Sequence, residues 1–262
     1  MSLPTFVTEE PLLAKKNSSV TLGEDSAHHM RVRRLESGTE IILVDGVGAR
    51  ATGTITQLAK RHATVSVGAV GRIEAPAPIH LLVPVADRDR MMWLAEKATE
   101  LQVASWRPVL YRRSKNVSPR GEGPTFQQRV RARMRAALEQ SGGAWMPAMF
   151  PEATVEHAIA ACTAGLHLVL DGGPSAATVL EVVMPAVKES WSKDHGLPAV
   201  TIAVGPEGGY EEAELAALVE AGFVRASLGQ SILRFETAAV AGLAAVRAAL
   251  ELGRHLNGDG TE

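Results

Sequence analysis

A continuous apolar run at residues 79–85, with the sequence IHLLVPV, constrains the fold more than any other feature of this chain. Such a run is expected of a strand that is buried on both faces of a sheet. Residues 89–101 follow as an amphipathic helix, and strand and helix patterns alternate from there towards the C-terminus. This alternation predicts an α/β domain with a mostly parallel sheet.

The later elements of this domain are marked by apolar runs and by periodicity. We predict strands at residues 104–111, 166–170, 199–204 and 223–228, and helices at residues 124–140 and 237–252. The segment EAPAP at 74–78 is a short stiff break, and we place the domain boundary there.

The part of the chain before this break has a different pattern. Residues 40–45, 51–56 and 63–67 have the composition of short strands separated by turns that contain glycine or charged residues, which predicts a small β-barrel. Residues 24–35 form a predicted helix or extended arm that carries three candidate RNA-binding cations, Arg31, Arg33 and Arg34.

Charge is unevenly distributed along the chain. A net charge of -2 does not by itself suggest a nucleic-acid partner. Residues 107–135, however, hold nine lysines and arginines and a single acidic residue, Glu122. This segment is either a phosphate-binding surface or a solvated helix face, and Arg112, Arg113 and Lys115 are its candidate RNA contacts.

Several classes of protein are excluded by simple counts. The only cysteine is Cys162, so an internal disulfide and a multi-cysteine zinc site are both ruled out. No apolar run approaches the roughly eighteen residues of a membrane span, and the N-terminus lacks the pattern of a signal peptide. We therefore expect a cytoplasmic protein with no membrane partner.

Three glycine-bearing loops follow predicted strands near the C-terminus: residues 171–173, 205–209 and 228–234. In an open parallel sheet, ligands bind beyond the carboxyl ends of the strands. Glycine allows such a loop to adopt positive φ and to approach a ligand closely. None of the loops has a P-loop lysine or a GxGxxG pattern, which argues against ATP, GTP or NAD.

Together these loops resemble one family. LDGG at 170–173, VGPEGGYEEAE at 204–214 and LGQSILRFETAAVAGL at 228–243 are similar to the S-adenosylmethionine (SAM)-binding segments of the bacterial 16S ribosomal RNA (uracil-N3)-methyltransferases, which belong to the knotted SPOUT superfamily. HHMRVRRLESGTEIILVDGVG at 28–48, EKATELQV at 96–103, RRS at 112–114 and ALEQSGG at 137–143 also resemble that family, in the same order. The likeness covers residues from about 20 to 250.

The resemblance implies a PUA-like β-barrel at residues 1–73 and an α/β domain with a trefoil knot, the SPOUT methyltransferase domain, at residues 78–262. It also implies a homodimer that methylates 16S ribosomal RNA in an assembled or nearly assembled small subunit, at a uridine of the decoding region near the 3′ end. The implied SAM-binding residues are Leu170, Asp171, Gly205, Pro206, Gly208, Leu228, Gly229, Ile232, Leu233 and Thr237. We expect Gly208 to have positive φ beside the cofactor.

For the chemistry, the resemblance places Arg234 at the target base, where its charge would stabilise the uracil as N3 loses its proton. Glu207, Glu236 or solvent could accept that proton, and no metal is needed. Where the family usually has an arginine after EQS this chain has glycine, and Arg133 or Arg135 would supply the cation. A SPOUT enzyme acting on another RNA or base, and a non-catalytic RNA-binding assembly factor, are the alternatives.

Overall fold

The computed structural model describes residues 3–114, 123–172, 176–192 and 196–258. The chain forms two compact units. The first contains Met1–Ala75 together with Arg135–Met146, and the second contains Pro76–Met134 and Pro147–Glu262.

A five-stranded sheet forms the first unit, in the order β1-β3-β4-β5-β2. Its elements are β1 (Thr5–Val7), a 3₁₀ turn (Leu12–Ala14), β2 (Ser19–Leu22), α1 (Glu24–Val32), β3 (Glu40–Val44), β4 (Ala49–Leu58) and β5 (Ala63–Arg72). Strands β1 and β3 are parallel, and the other pairs are antiparallel. In β4 the first five residues alternate between buried and exposed, as expected of a sheet with one face on a core.

The first unit differs from the predicted N-terminal domain because it recruits a later segment, Arg135–Met146. Glu139 accepts a hydrogen bond from the backbone N–H of Val7 at 3.0 Å, and Arg135 donates to the carbonyl of Val7 at 2.5 Å. The Trp145 indole donates to the carbonyl of Ile73 at 3.1 Å. Residues 78–262 therefore do not form one continuous compact unit. Sequence patterns missed this because the contacting residues are more than 70 positions apart.

The second unit contains the remaining elements. These are β6 (Ile79–Pro84), α2 (Arg88–Glu100), β7 (Ser105–Leu110), α3 (Pro124–Ser141, which continues into the first unit), β8 (Ala148–Met149), β9 (Ala153–Thr154), α4 (Val155–Ala160), β10 (Leu166–Leu170), β11 (Ala177–Thr178), α5 (Val179–Ser192), β12 (Val200–Val204), α6 (Glu212–Glu220), β13 (Val224–Ser227) and α7 (Phe235–Gly258). No helix in the described ranges is both long and apolar enough to cross a membrane.

Every strand pair in the sheet of this unit is parallel, in the order β11-β13-β10-β12-β6-β7-β8, with β9 also paired to β7. All residues of β12 are buried, because α4 and α6 cover one face of the sheet and α7 packs on the other. The predicted α/β class is confirmed. The short elements β8, β9, α4 and β11 and the helix α5 were not predicted, and the trefoil knot stays a prediction.

A buried arginine anchors helix α7 to the rest of this unit. The Arg247 guanidinium donates to the carbonyls of Ala77 at 2.9 Å, Gln102 at 2.8 Å and Leu101 at 3.3 Å. These carbonyls lie just before β6 and just after α2, outside the strand and the helix. The contacts fix α7, and with it the loop that precedes α7, relative to the central strands.

Four polar side chains cross the parallel sheet in register. His167 on β10 pairs with Thr201 on β12, Thr201 with His80 on β6, and His80 with Ser105 on β7. The Nδ1 atom of His80 lies 2.8 Å from the Ser105 hydroxyl. Burial, together with the nearby His167, lowers the pKa of His80 below its ordinary value of 6.5.

We predict that His80, in this row of four polar side chains, makes the stability of the protein depend on pH. Because the pKa of His80 is lower in the folded state, the unfolded chain binds more protons between that pKa and about 6.5. The free energy of unfolding should therefore fall as the pH drops below about 6.5. Urea denaturation between pH 5 and 8 measures this dependence.

His80→Asn, which keeps a hydrogen-bonding group near Ser105 but cannot titrate, should flatten the dependence. His157→Asn, at an exposed position on α4, is the matched control and should retain the wild-type pH profile. If the His80 variant and the wild type lose stability equally, another group is responsible.

Candidate functional site

A cavity of about 470 Å³ lies at the carboxyl ends of three neighbouring strands, β13, β10 and β12. The loops that follow these strands form its walls, and Phe235 and Ala238 from the start of α7 complete them. The volume is within the roughly 300–1,000 Å³ of ordinary small-molecule sites. The three glycine-bearing loops predicted to share one edge of the sheet therefore do so.

Most of the predicted cofactor residues line this cavity: Leu170, Asp171, Gly205, Pro206, Leu228, Gly229, Ile232 and Leu233. Gly208 and Thr237 are exposed and are not among the described residues of its wall. Glu207 lines the cavity as well, together with Tyr210, Gln230 and Ser231, three residues that the sequence did not single out.

The glycines of the 205–209 loop have different roles. A Cβ atom at Gly205 would lie 2.7 Å from Cε2 of Tyr210, so only glycine allows that ring to pack against the backbone. The expectation of positive φ at Gly208 is wrong, since Gly209 is the residue with φ of +72°. A Cβ atom at Gly208 would lie 3.0 Å from Cβ of Arg113, so a larger residue there would crowd the segment after β7.

Of the candidate RNA contacts after β7, Arg112 and Arg113 are described and Lys115 lies outside the described residues. The Arg113 guanidinium donates to the carbonyl of Gly208 at 3.2 Å. The backbone N–H of Arg112 donates at 2.7 Å to Glu214, which also caps α6. The basic segment is therefore joined directly to the loop after β12.

Arg234 immediately precedes α7, and its carbonyl accepts the backbone N–H of Ala238 at 2.8 Å. Its neighbours Leu233 and Phe235 both line the cavity. The Arg234 side chain is exposed, and among the described residues nothing forms an ion pair or hydrogen bond with its guanidinium. An unpaired cation beside a cavity is available to a ligand.

The candidate carboxylates Glu207 and Glu236 both face Arg90, a residue of α2 that the sequence did not indicate. Arg90 forms an ion pair with Glu207, and its Nε atom lies 3.8 Å from Oε1 of Glu236. The other Glu236 oxygen is buried and has no hydrogen-bond partner among the described residues. Arg90 thus joins the loop after β12 to the first turn of α7.

Two further features involve residues that line the cavity, Asp171 and Tyr210. Asp171 forms an ion pair with Arg225 of β13 at 2.5 Å. The ring of Tyr210 meets that of Tyr111 edge to face, with 5.2 Å between the ring centres. Burial raises the pKa of both phenols, so both remain neutral at physiological pH.

The remaining candidate cations are not among the described residues that line the cavity. Arg31, Arg33 and Arg34 are exposed at the end of α1 in the first unit. Arg133 donates to Glu96 at 3.1 Å, and Arg135 contacts Val7. Both of the arginines expected to replace the missing family arginine therefore have protein partners.

These features match a known family. Residues 73–247 match the RNA methyltransferase domain family, and residues 22–68 match the RNA methyltransferase PUA domain family. The chain belongs to the RNA methyltransferase domain family. The matched PUA region covers most of the five-stranded sheet, in agreement with the PUA-like domain predicted there.

Individual relatives agree with this assignment. The ribosomal RNA small subunit methyltransferase E of Synechocystis is 28% identical over 238 residues, 89% of this chain and 74% of that protein. The same-named protein of Neisseria gonorrhoeae, solved bound to SAM, is 28% identical with a TM-score of 0.80, covering 94% of this chain and 98% of that one. A putative methyltransferase from Legionella pneumophila, solved with SAM, is 23% identical with a TM-score of 0.83. The match covers 95% of this chain and 98% of that one, and it supports the fold.

We predict that Arg90→Ala weakens binding of SAM, the cofactor that the family resemblance implies, and leaves the protein folded. Without Arg90, the carboxylates of Glu207 and Glu236 lose their shared cation and the two loops lose a link. A charge-assisted contact contributes about 1–2 kcal/mol, so its loss should raise the Kd for SAM about five- to thirtyfold. Calorimetric titration measures the change.

Arg90→Lys should recover part of the affinity, because it keeps the charge without the guanidinium fork. The matched control is Arg254→Ala, which removes an arginine that pairs with Glu251 on α7, away from the cavity. Equal affinities in the wild type and Arg90→Ala would show that the two loops do not depend on this link.

Proposed function

We propose that this protein transfers a methyl group from SAM to N3 of one uridine in 16S ribosomal RNA, in the decoding region near the 3′ end of the small subunit. The supporting observation is the cavity itself, whose walls are formed by the loops that resemble the SAM-binding segments of that family. Relatives named ribosomal RNA small subunit methyltransferase E support a small-subunit RNA as the substrate.

The cavity fits the proposed cofactor in its chemistry. Apolar side chains such as Leu170 and Leu228 can contact an adenine ring, and backbone groups of the glycine-rich loops can hydrogen-bond its edge. Asp171 and Glu207 also line the wall, where each is held in place by an arginine, Arg225 and Arg90 respectively. When bound, SAM supplies a methyl group on a sulfonium, which has a good leaving group and needs no metal for activation.

The test is to delete the gene and map the modified bases of 16S ribosomal RNA. We expect one 3-methyluridine to disappear and to return when the purified protein and SAM are added to small subunits from the deletion strain. Loss of a different modification would identify a SPOUT enzyme with another target. No change in any base, together with retained RNA binding, would identify a non-catalytic assembly factor.

The protein must make a poor nucleophile reactive. N3 of uracil carries a proton, and the target base must leave its stack to enter a pocket. We assign to Arg234 the stabilisation of the negative charge that develops on the uracil oxygens as this proton leaves. Its position between two cavity-lining residues and its unpaired guanidinium support this role.

We infer that solvent accepts the N3 proton. Glu207 and Glu236 both face Arg90, so protonating either carboxylate would weaken its interaction with that guanidinium. A carboxylate that is already paired in this way is a poor general base. The role we infer for these two glutamates is to position the loops.

We predict that Arg234→Ala reduces the rate of methyl transfer on the order of a hundredfold or more, because a preorganised donor to a developing oxyanion is lost. Binding of SAM and of RNA should change far less, since the charge is absent from the ground state. Single-turnover assays at saturating SAM and RNA measure the rate.

Two additional results would support the assignment. Arg234→Lys should recover only part of the rate, because an ammonium group does not reproduce the guanidinium fork. Raising the pH should partly rescue the alanine variant, because more of the uracil is then already ionised. An alanine variant that loses affinity but keeps its saturated rate would make Arg234 a binding residue.

We also propose that the protein is a homodimer, as the family resemblance implies. Part of the apolar surface of α7 is used inside the second unit, where Leu243, Val246 and Leu250 are buried. Other apolar side chains, including Ile232 beside the cavity, are exposed. At micromolar concentration we predict a sedimentation mass of twice 27.8 kDa, and a mass near 27.8 kDa would contradict the proposal.

A further inference from the structure

The end of helix α1 is held against the turn between β4 and β5. Nη1 of Arg31 donates hydrogen bonds to the carbonyls of Ala59 at 2.7 Å and Lys60 at 2.8 Å. The turn is closed by a hydrogen bond of 2.9 Å from the N–H of Ala59 to the carbonyl of His62. Arg31 therefore brings two segments that are nearly thirty residues apart into contact.

This contact gathers cations onto one surface. Lys60 and Arg61 occupy the tip of the closed turn, and Arg33 and Arg34 directly follow the last residue of α1. All four side chains are exposed. The acidic residues of the helix, Glu24 and Asp25, lie in its first turn, at the opposite end.

The four side chains have no protein partners within the described ranges. Within those ranges, no ion pair or hydrogen bond is formed by the side chains of Arg33, Arg34, Lys60 or Arg61. By contrast, Lys15 and Arg135 in the same unit both face carboxylates. Like charges that are held together without counter-charges repel each other, and an external anion would relieve this repulsion.

We propose that this basic cluster, Arg33, Arg34, Lys60 and Arg61, binds the sugar–phosphate backbone of the RNA substrate, and that Arg31 is a positioning residue. The inference rests on the proposed function, which makes RNA the partner. Backbone phosphates suit the site, because clustered lysines and arginines bind them through charge and fork-shaped hydrogen bonding. Contacts of this kind position the RNA and do not read its sequence.

Arg31 thus differs from its neighbours, although the sequence suggested the same role for all three arginines. The Arg31 side chain donates its hydrogen bonds to the carbonyls of Ala59 and Lys60 and so holds the turn in place. Lys60 and Arg61 lie in a turn that is distant in the sequence from α1, which is why a pattern confined to residues 24–35 could not indicate them.

The test compares two double variants that remove equal charge from the first unit. Lys60→Ala with Arg61→Ala removes half of the cluster. Lys16→Ala with Arg50→Ala removes two exposed cations that also lack ion-pair partners among the described residues. Binding to a fluorescent polyuridylate 20-mer is measured by anisotropy between 0.05 and 0.3 M salt, because the electrostatic part of binding is independent of sequence.

For the Lys60/Arg61 variant we expect the slope of log K against log salt to fall by about 1.4, two contacts at roughly 0.7 each, with a loss of affinity on the order of tenfold at 0.1 M salt. The Lys16/Arg50 control should keep the wild-type slope. An unchanged slope in the Lys60/Arg61 variant, or an equal fall in both variants, would overturn the proposal.

Arg31 is tested separately. If it positions the turn, Arg31→Ala should lower the slope by more than the roughly 0.7 of one contact, and Arg31→Lys, which keeps a donor, should recover part of it. If the slope for Arg31→Ala falls by only about 0.7, the value of one contact, Arg31 is a direct phosphate ligand and the positioning role is refuted. In parallel, methyl transfer by the wild-type protein to small subunits is assayed. If the wild-type protein has no activity, the proposed function fails, and the RNA-binding result for this surface is judged separately.

Discussion

The centre of the parallel sheet in the second unit is buried on both faces, and the site depends on that burial. Strand β12 exposes no residue to solvent, so its side chains are used for packing, and only its last residue, Val204, reaches the cavity. Parallel strands also end at the same edge. Functional groups are therefore confined to the loops at the carboxyl ends, and the neighbouring positions of β13, β10 and β12 bring three such loops to one cavity.

Long-range polar contacts then fix the loops. Arg90 connects the loop after β12 with the start of α7, and Arg113 holds Gly208 on the other side of the same loop. Arg247 fixes α7 from within the core. The loops around the cavity are thus attached both to the basic segment after β7 and to the helix that follows Arg234, so that a change in one part can alter the geometry of the others.

The sequence was sufficient for the features that depend on local periodicity. The central strands, the long helices α2, α3 and α7 and the three loops were predictable, because apolar runs, helical periodicity and glycines mark them directly, whereas α4 and α5 were not predicted. Arg90, Lys60 and Arg61 were not, because each acquires its role from a contact with a residue far away in the chain. The positive φ was assigned to Gly208 instead of Gly209 for a related reason: adjacent glycines cannot be distinguished by composition, only by the path of the backbone.

The recruitment of Arg135–Met146 by the first unit affects the order in which the chain can fold during synthesis. Both backbone groups of Val7, near the N-terminus, are matched by side chains of Arg135 and Glu139. Domains generally fold as they emerge, N-terminal first. Here the N-terminal unit lacks these partners until the ribosome has also produced most of α3, so this unit is completed only after the first strands of the second unit have been made.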